Sequence, residues 1–240
     1  MERRSVYAAL AGVLLVCAAA TAEDLESVQK RIISAFDKHK SMTAKVQVAT
    51  QHDAGEVKVE AKGEGTVEWS RSGDKFCVRQ ELALTMLQKF GEQENRVETK
   101  SLTIVDGEAA YNLSEIMGQQ MAVKTNVDPR QTGDPKAMFA QLAKDNELKL
   151  LPDEEVNGRK TFVISATPKE KSPGAPARQV YCFDQDCGLV IKTVAFNDKD
   201  QPMMSMTYSD IKLDVSIDPE RFKFKAPAGV DVIDQTKTQP

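Results

Sequence analysis

The feature that most constrains this chain is two-residue alternation, repeated in run after run with turns rather than helices between the runs. Ala44, Val46 and Val48 alternate with Lys45 and Gln47, and Val57, Val59 and Ala61 alternate with Lys58 and Glu60. Gly63-Glu64-Gly65 leads into a run over 66–71 in which Val67 and Trp69 share a face. After the turn Ser72-Gly73-Asp74, the long segment 75–90 places Phe76, Val78, Leu82, Leu84 and Met86 on one parity. A partner spans 96–105, and Asp106-Gly107 is the strongest hairpin signal in the chain, returning through 109–113. Further strands are expected over 148–151, 160–167, 177–183, 189–196 and 202–213, with an exposed loop at 168–176 and a polar tip at 197–200. Strands that follow one another through short turns pair antiparallel. The expectation is a mainly β (α+β) fold, built as one strongly curved antiparallel sheet in a single domain.

The last stretch, 208–234, reads as a hairpin. Ile211, Leu213 and Val215 alternate before Asp218-Pro219, and Phe222 and Phe224 alternate after it. Ala226-Pro227-Ala228-Gly229 then stops the strand, since proline withholds a ladder donor. Two helices complete the inventory. In 24–40, Leu25, Val28, Ile32 and Phe36 fall on one stripe. Asp134 can cap a second helix with Pro135 in its first turn, 137–144 continues it with Met138, Phe139 and Leu142 on its apolar face, and Asn146 is the stop. A helix interrupting a meander is expected to lie across the sheet.

The first 22 residues have the form of an export signal: Glu2-Arg3-Arg4, an apolar run from Val6 to Ala20, and the small-x-small site Ala20-Thr21-Ala22. The working domain is then 23–240, in an exported protein. Lipidation at Cys17 ranks below ordinary cleavage, because Val16 stands where a small residue is required. The formal charge of −4 is spread over interspersed acids and bases, with no basic stripe for nucleic acid. Export implies an oxidising compartment, so cysteines are expected to pair. Cys182 and Cys187 bracket a four-residue loop between two strands and are expected to form a disulfide, leaving Cys77 as a buried thiol. The C-x4-C pair could alternatively be half of a metal site, though two histidines leave few further ligands.

Catalytic signatures are missing: no G-x-S-x-G elbow, no phosphate-binding or dinucleotide loop, no H-E-x-x-H. His39 and His52 read as solvated surface histidines. No cofactor or metal is expected, and the protein is read as a non-enzymatic monomer. Methionines are numerous, and Met204, Met206 and Tyr208 share one strand face. Such side chains serve either as core filler or as an adaptable apolar binding surface. A curved sheet with only two helices must cover its concave face, and a ligand cavity is one solution.

With these residues in view, the chain resembles the LolA family of periplasmic outer-membrane lipoprotein carriers. The likeness runs from Ser41-Met42-Thr43-Ala44 through Gly63-Glu64-Gly65-Thr66-Val67-Glu68-Trp69, Ile104-Val105-Asp106-Gly107 and the helix after Asp134. It ends in the segment from Asp218-Pro219-Glu220-Arg221-Phe222 to Gly229-Val230-Asp231-Val232, its most specific motif. The resemblance implies an unclosed antiparallel barrel with a helical lid around a cavity for acyl chains. It also implies lipid-modified proteins as partners, with an inner-membrane releasing transporter and an outer-membrane acceptor. Arg71 matches the family's arginine that bonds the lid backbone in the closed form, although Ser72-Gly73 follows it where the family has proline.

On that reading the cavity is lined by Val67, Trp69, Phe76, Leu84, Ile104, Met204, Met206 and Tyr208, and the lid latch consists of Arg71 with Met138, Phe139 and Leu142. The function expected is shuttling of lipoproteins by their acyl chains. Two alternatives are a regulatory sensor domain of the same fold and an exported hydrolase with a nucleophile in the cavity.

Overall fold

The structure is a computed structural model and describes residues 24–236, apart from 55–56, 74 and 129–130. The expected export signal over 1–22 lies outside the described residues. Helix α1 covers Leu25–Phe36, and Asp24 caps it by accepting the Ser27 N–H at 2.7 Å. It ends with the last residue of its apolar stripe, Phe36, short of the expected bound at 40, because the chain turns at 37–38 to enter the sheet at Ser41. Helix α2 covers Pro135–Asp145. Its signals act as expected: the Asp134 carboxylate accepts the Lys136 N–H, and Asn146 closes the far end on the Leu142 carbonyl.

Twelve strands follow in chain order: β1 Ser41–Ala54, β2 Val57–Ser72, β3 Lys75–Phe90, β4 Gln93–Val105, β5 Ala110–Ile116 and β6 Gln119–Thr125 precede α2. After it come β7 Asn146–Val156, β8 Arg159–Pro168, β9 Arg178–Asp184, β10 Val190–Phe196, β11 Pro202–Leu213 and β12 Val232–Asp234. They form one sheet in the order β12-β6-β5-β4-β3-β2-β1-β11-β10-β9-β8-β7. Two meanders are thus stitched together where β11 returns beside β1, with Val46 opposite Tyr208 and Val48 opposite Met206. β7 and β12 end the order without pairing to each other, so the barrel is unclosed.

Gly63 and Gly65 do not separate two strands; they lie inside β2. A Cβ at Gly63 would come 2.3 Å from the Ala83 carbonyl oxygen, and one at Gly65 would come 1.8 Å from that of Glu81. The neighbouring strand bends over β2 here, and only glycine leaves room for that curvature. β6 went unassigned in the sequence, because Met121 and Val123 are too few among polar neighbours to show a period.

The expected hairpin at 208–234 is not formed. Asp218 accepts the Glu220 N–H and opens a short 3-10 helix, Pro219–Phe222, instead of a turn. The tail then crosses the outer face as a single extended chain. Arg221 Nε donates to Glu68 Oε2 at 2.6 Å, Arg79 donates to the Arg221 carbonyl at 3.2 Å, and Phe224 stacks on Tyr111 with centroids 5.0 Å apart. The chain ends its crossing as β12, parallel to β6. Alternation at Phe222 and Phe224 therefore reflects packing on a sheet face rather than a partner strand.

Directly opposed residues in antiparallel strands share a face. Register thus puts Val67, Trp69, Val78, Gln80, Leu82, Leu84, Val105, Met206, Tyr208 and Tyr181 on one inner face. The two helices cover one end of that face and pack most closely over β8–β9. Val28 and Ile32 of α1 and Phe139 and Leu142 of α2 pack there with Phe162, Ile164, Tyr181 and Phe183.

Candidate ligand cavity

Between α2 and the inner face lies a cavity of about 350 Å³. That is the low end of ligand pockets, which span roughly 300–1,000 Å³. β2 contributes Val67 and Trp69, β3 Val78 and Gln80, β4 Thr103 and Val105, and β11 Met206 and Tyr208. Met138 and Leu142 of α2 form the roof, with Gln131 and Gly133 at its entrance. Among the described residues the lining includes no Ser, Cys, His, Asp or Glu. Lys192 is part of the wall, but its ammonium sits 3.3 Å from Glu154 Oε2. Burial pushes the Tyr208 phenol up to about 12, so it stays neutral. No cluster of metal-ligating side chains occurs among the described residues. A mostly apolar wall with a few amide and hydroxyl groups and one ion-paired lysine suits an apolar chain.

Of the expected lining, Val67, Trp69, Met206 and Tyr208 are in place, with Met138 and Leu142 from the helix. Ile104 is not. It opposes Arg79 and Tyr111, which puts it on the outer face; its neighbours Thr103 and Val105 take the inner positions. A strand shifts its whole apolar set with one residue of parity. Phe76 has the inner parity but stands outside the cavity in an aromatic cluster, 4.8 Å separating the Phe36 and Trp69 rings and 6.0 Å those of Trp69 and Phe76. Phe139 turns to the core side of α2, 4.9 Å from Phe183. Met42, Tyr181, Leu189 and Ile191 complete the wall and were missed; alternation marks them as apolar but cannot say which strands meet across the cavity.

Leu84 and Met204 share the inner face but lie beyond the helices. Met204 is 43% exposed there, with Phe90 at 50%, Ile116 at 49% and Met121 at 52% on the same face by register. The inner face therefore runs on from the covered cavity to uncovered strand ends, apolar along β3 through Leu82, Leu84 and Met86 and more polar on β4 and β5, where Thr99, Ser101 and Ser114 intervene.

Arg71 does not touch α2 in the structure. Its guanidinium donates to Asp37 Oδ1 at 2.7 Å and to the Asp37 and His39 carbonyls at 2.8 and 3.2 Å, closing the C-terminus of α1. The contact to the lid backbone comes from Trp69, whose Nε1 donates to the Thr132 carbonyl at 2.9 Å. His39 is not a solvated histidine either: its Nδ1 lies 2.7 Å from Asp214 Oδ2. His52 sits within β1 rather than a loop and is exposed.

The expected disulfide is absent. Cys182 and Cys187 are separate, buried free thiols. Register explains this: Cys182 opposes Lys192, while Cys187 lies in the tight turn where the Asp184 N–H meets the Leu189 carbonyl, so the two were never cross-strand partners. Cys77 is half-buried rather than buried.

No protein-family model and no curated protein matches the chain. Solved structures do. An uncharacterized conserved protein of Thermus thermophilus matches with 12% identity over 86% of this chain and 98% of that one, at a TM-score of 0.50. The Pseudomonas aeruginosa MucA/MucB complex matches with 19% identity at a TM-score of 0.44. That match covers 82% of this chain, which spans only 59% of the chain matched. A LolA superfamily protein of Nitrosomonas europaea matches with 12% identity over 83% and 97%, at a TM-score of 0.29. At 12% identity and a TM-score of 0.50, the likeness to the Thermus thermophilus protein is one of fold alone.

Proposed function

We propose that this chain is a periplasmic carrier that holds the acyl chains of lipid-modified proteins on its inner face and shuttles them toward the outer membrane. The observation that carries the reading is the apolar strip of the inner face on β2, β3 and β11, with Val67, Trp69, Leu82, Leu84, Met204 and Met206. The covered part of that face encloses a cavity of about 350 Å³, and the uncovered part exposes Phe90, Ile116, Met121 and Met204. Each buried methylene contributes about 0.8 kcal/mol, so one chain gives reversible capture, as a carrier requires. The absence of Ser, Cys, His, Asp and Glu from the lining, among the described residues, supports a binding role over hydrolysis. An export address rests on the charged-apolar-small order of the first 22 residues.

The test is native mass spectrometry of the mature protein purified from its own envelope. Stoichiometric lipid or lipoprotein is expected to co-purify. A stable complex with a membrane signalling protein would make it a regulatory domain using the same cavity. A clean apo mass, with no uptake of a fluorescent fatty acid, would overturn lipid binding.

A further inference from the structure

We infer that the Trp69 indole is the latch of the α2 lid, and that the lid hinges at its C-terminal end, so it opens N-terminus first. Trp69 is 2% exposed, lines the cavity and places its N–H on the Thr132 carbonyl, three residues before α2 begins. Gly133 lies flat on the indole: a Cβ there would meet Trp69 Cδ1 and Nε1 at 3.5 Å, and its φ of +74° is one that glycine accepts. Thr132 is tied into the helix start, since its Oγ1 accepts the Asp134 N–H and Asp134 caps the first turn. The indole thus grips the backbone that launches the lid.

The opposite end is built differently. α2 runs straight into β7, with Asn146 serving both as helix stop and as first strand residue. Asn146 donates to the Leu142 carbonyl from its backbone N–H and from Nδ2, and Lys169 Nζ donates to the Ala143 and Lys144 carbonyls at 2.8 and 3.0 Å. These bonds occupy C-terminal carbonyls that a helix otherwise leaves to solvent. The C-terminus of α1 is fixed separately by Arg71, while its Val28 and Ile32 share one packed cluster with Phe139 and Leu142 of α2. A chain entering the cavity reaches Trp69 and Gly133 together, so filling the space against the indole strains the latch while the hinge stays fixed.

The experiment is amide hydrogen exchange on the full protein and on Trp69→Phe, which keeps an aromatic ring but removes the donor. It uses no lipid, so it succeeds or fails apart from the carrier reading. In the wild type, amides at 138–141 should exchange faster than those at 143–146. In Trp69→Phe they should speed up by about three- to tenfold, the equilibrium weight of one net hydrogen bond. Amides of β8, which pairs with β7 and β9 away from Trp69, should be unchanged, which also shows that the variant is folded. Asn146→Ala should instead speed exchange at 143–146. Equal rates in wild type and Trp69→Phe, or an acceleration shared by β8, would overturn the latch; slower exchange at 138–141 than at 143–146 in the wild type would overturn the hinge.

Discussion

Gly188 lies so close to α1 that a methyl group at its Cα would stand 2.2 Å from the Ile32 carbonyl oxygen and 2.7 Å from the Phe36 nitrogen. The β9–β10 turn is therefore the seat on which α1 rests, and its φ of +69° adds a second reason for glycine. Gly188→Ala combines backbone strain with overpacking and is expected to lower stability by about 2–4 kcal/mol. A urea midpoint within error of wild type would show that α1 yields freely.

The same turn carries a pH dependence. Burial pushes the Asp184 carboxyl up, but hydrogen bonds from Arg159 and from the Cys187 backbone N–H outweigh this and hold it below the ordinary carboxylate range. A depressed folded pKa means that the unfolded chain takes the proton first. The stabilisation is therefore complete above about pH 4, the unfolded value, and is lost as pH falls through the folded one. Asp184→Asn should be less stable than wild type at neutral pH, and the gap should narrow in acid. A gap independent of pH would remove the ion pair from the account.

The thiols supply a third prediction. Burial pushes Cys187 up to about 12 and raises Cys182 and Cys77 as well. In the native protein Cys182 and Cys187 should resist a thiol reagent, Cys77 should react first, and unfolding without reductant should release all three. Fewer than three thiols on unfolding without reductant would mean that a disulfide exists.

Much of this fold is legible in the sequence, because its strands alternate apolar and polar residues and its turns carry Gly, Asp and Asn. Asp134, Pro135 and Asn146 mark α2 almost to the residue. What the period cannot convey is phase across strands: it separates Ile104 from Val105 only once register to Val78 is known. Nor can it separate a strand from an extended strap, which is why Phe222 and Phe224 read as half of a hairpin. Cys182 and Cys187 misled for a related reason, since a bulged, tight turn moved Cys187 off the ladder. Trp69 was legible as a wall residue, but its bond to Thr132 joins positions 63 residues apart with no local signal.

Arg71 offers a direct comparison with that latch. Its side chain is 18% exposed and its partner Asp37 is 59% exposed, so solvent weakens the ion pair. The carbonyl bonds to Asp37 and His39 persist regardless of salt. Arg71→Met should cost about 1–2 kcal/mol and loosen the end of α1 without accelerating exchange in α2. Faster exchange in α2 would return the latch role to Arg71.

The most direct test of the cavity uses Trp69, the single tryptophan in the chain. Its emission would be followed while the protein is titrated with palmitate. Saturable change at about one equivalent, abolished by Met206→Glu in a folded variant, is the result the account predicts. Unchanged emission at saturating palmitate, with no fatty acid retained on gel filtration, would mean that the inner face is packed core and not a binding site.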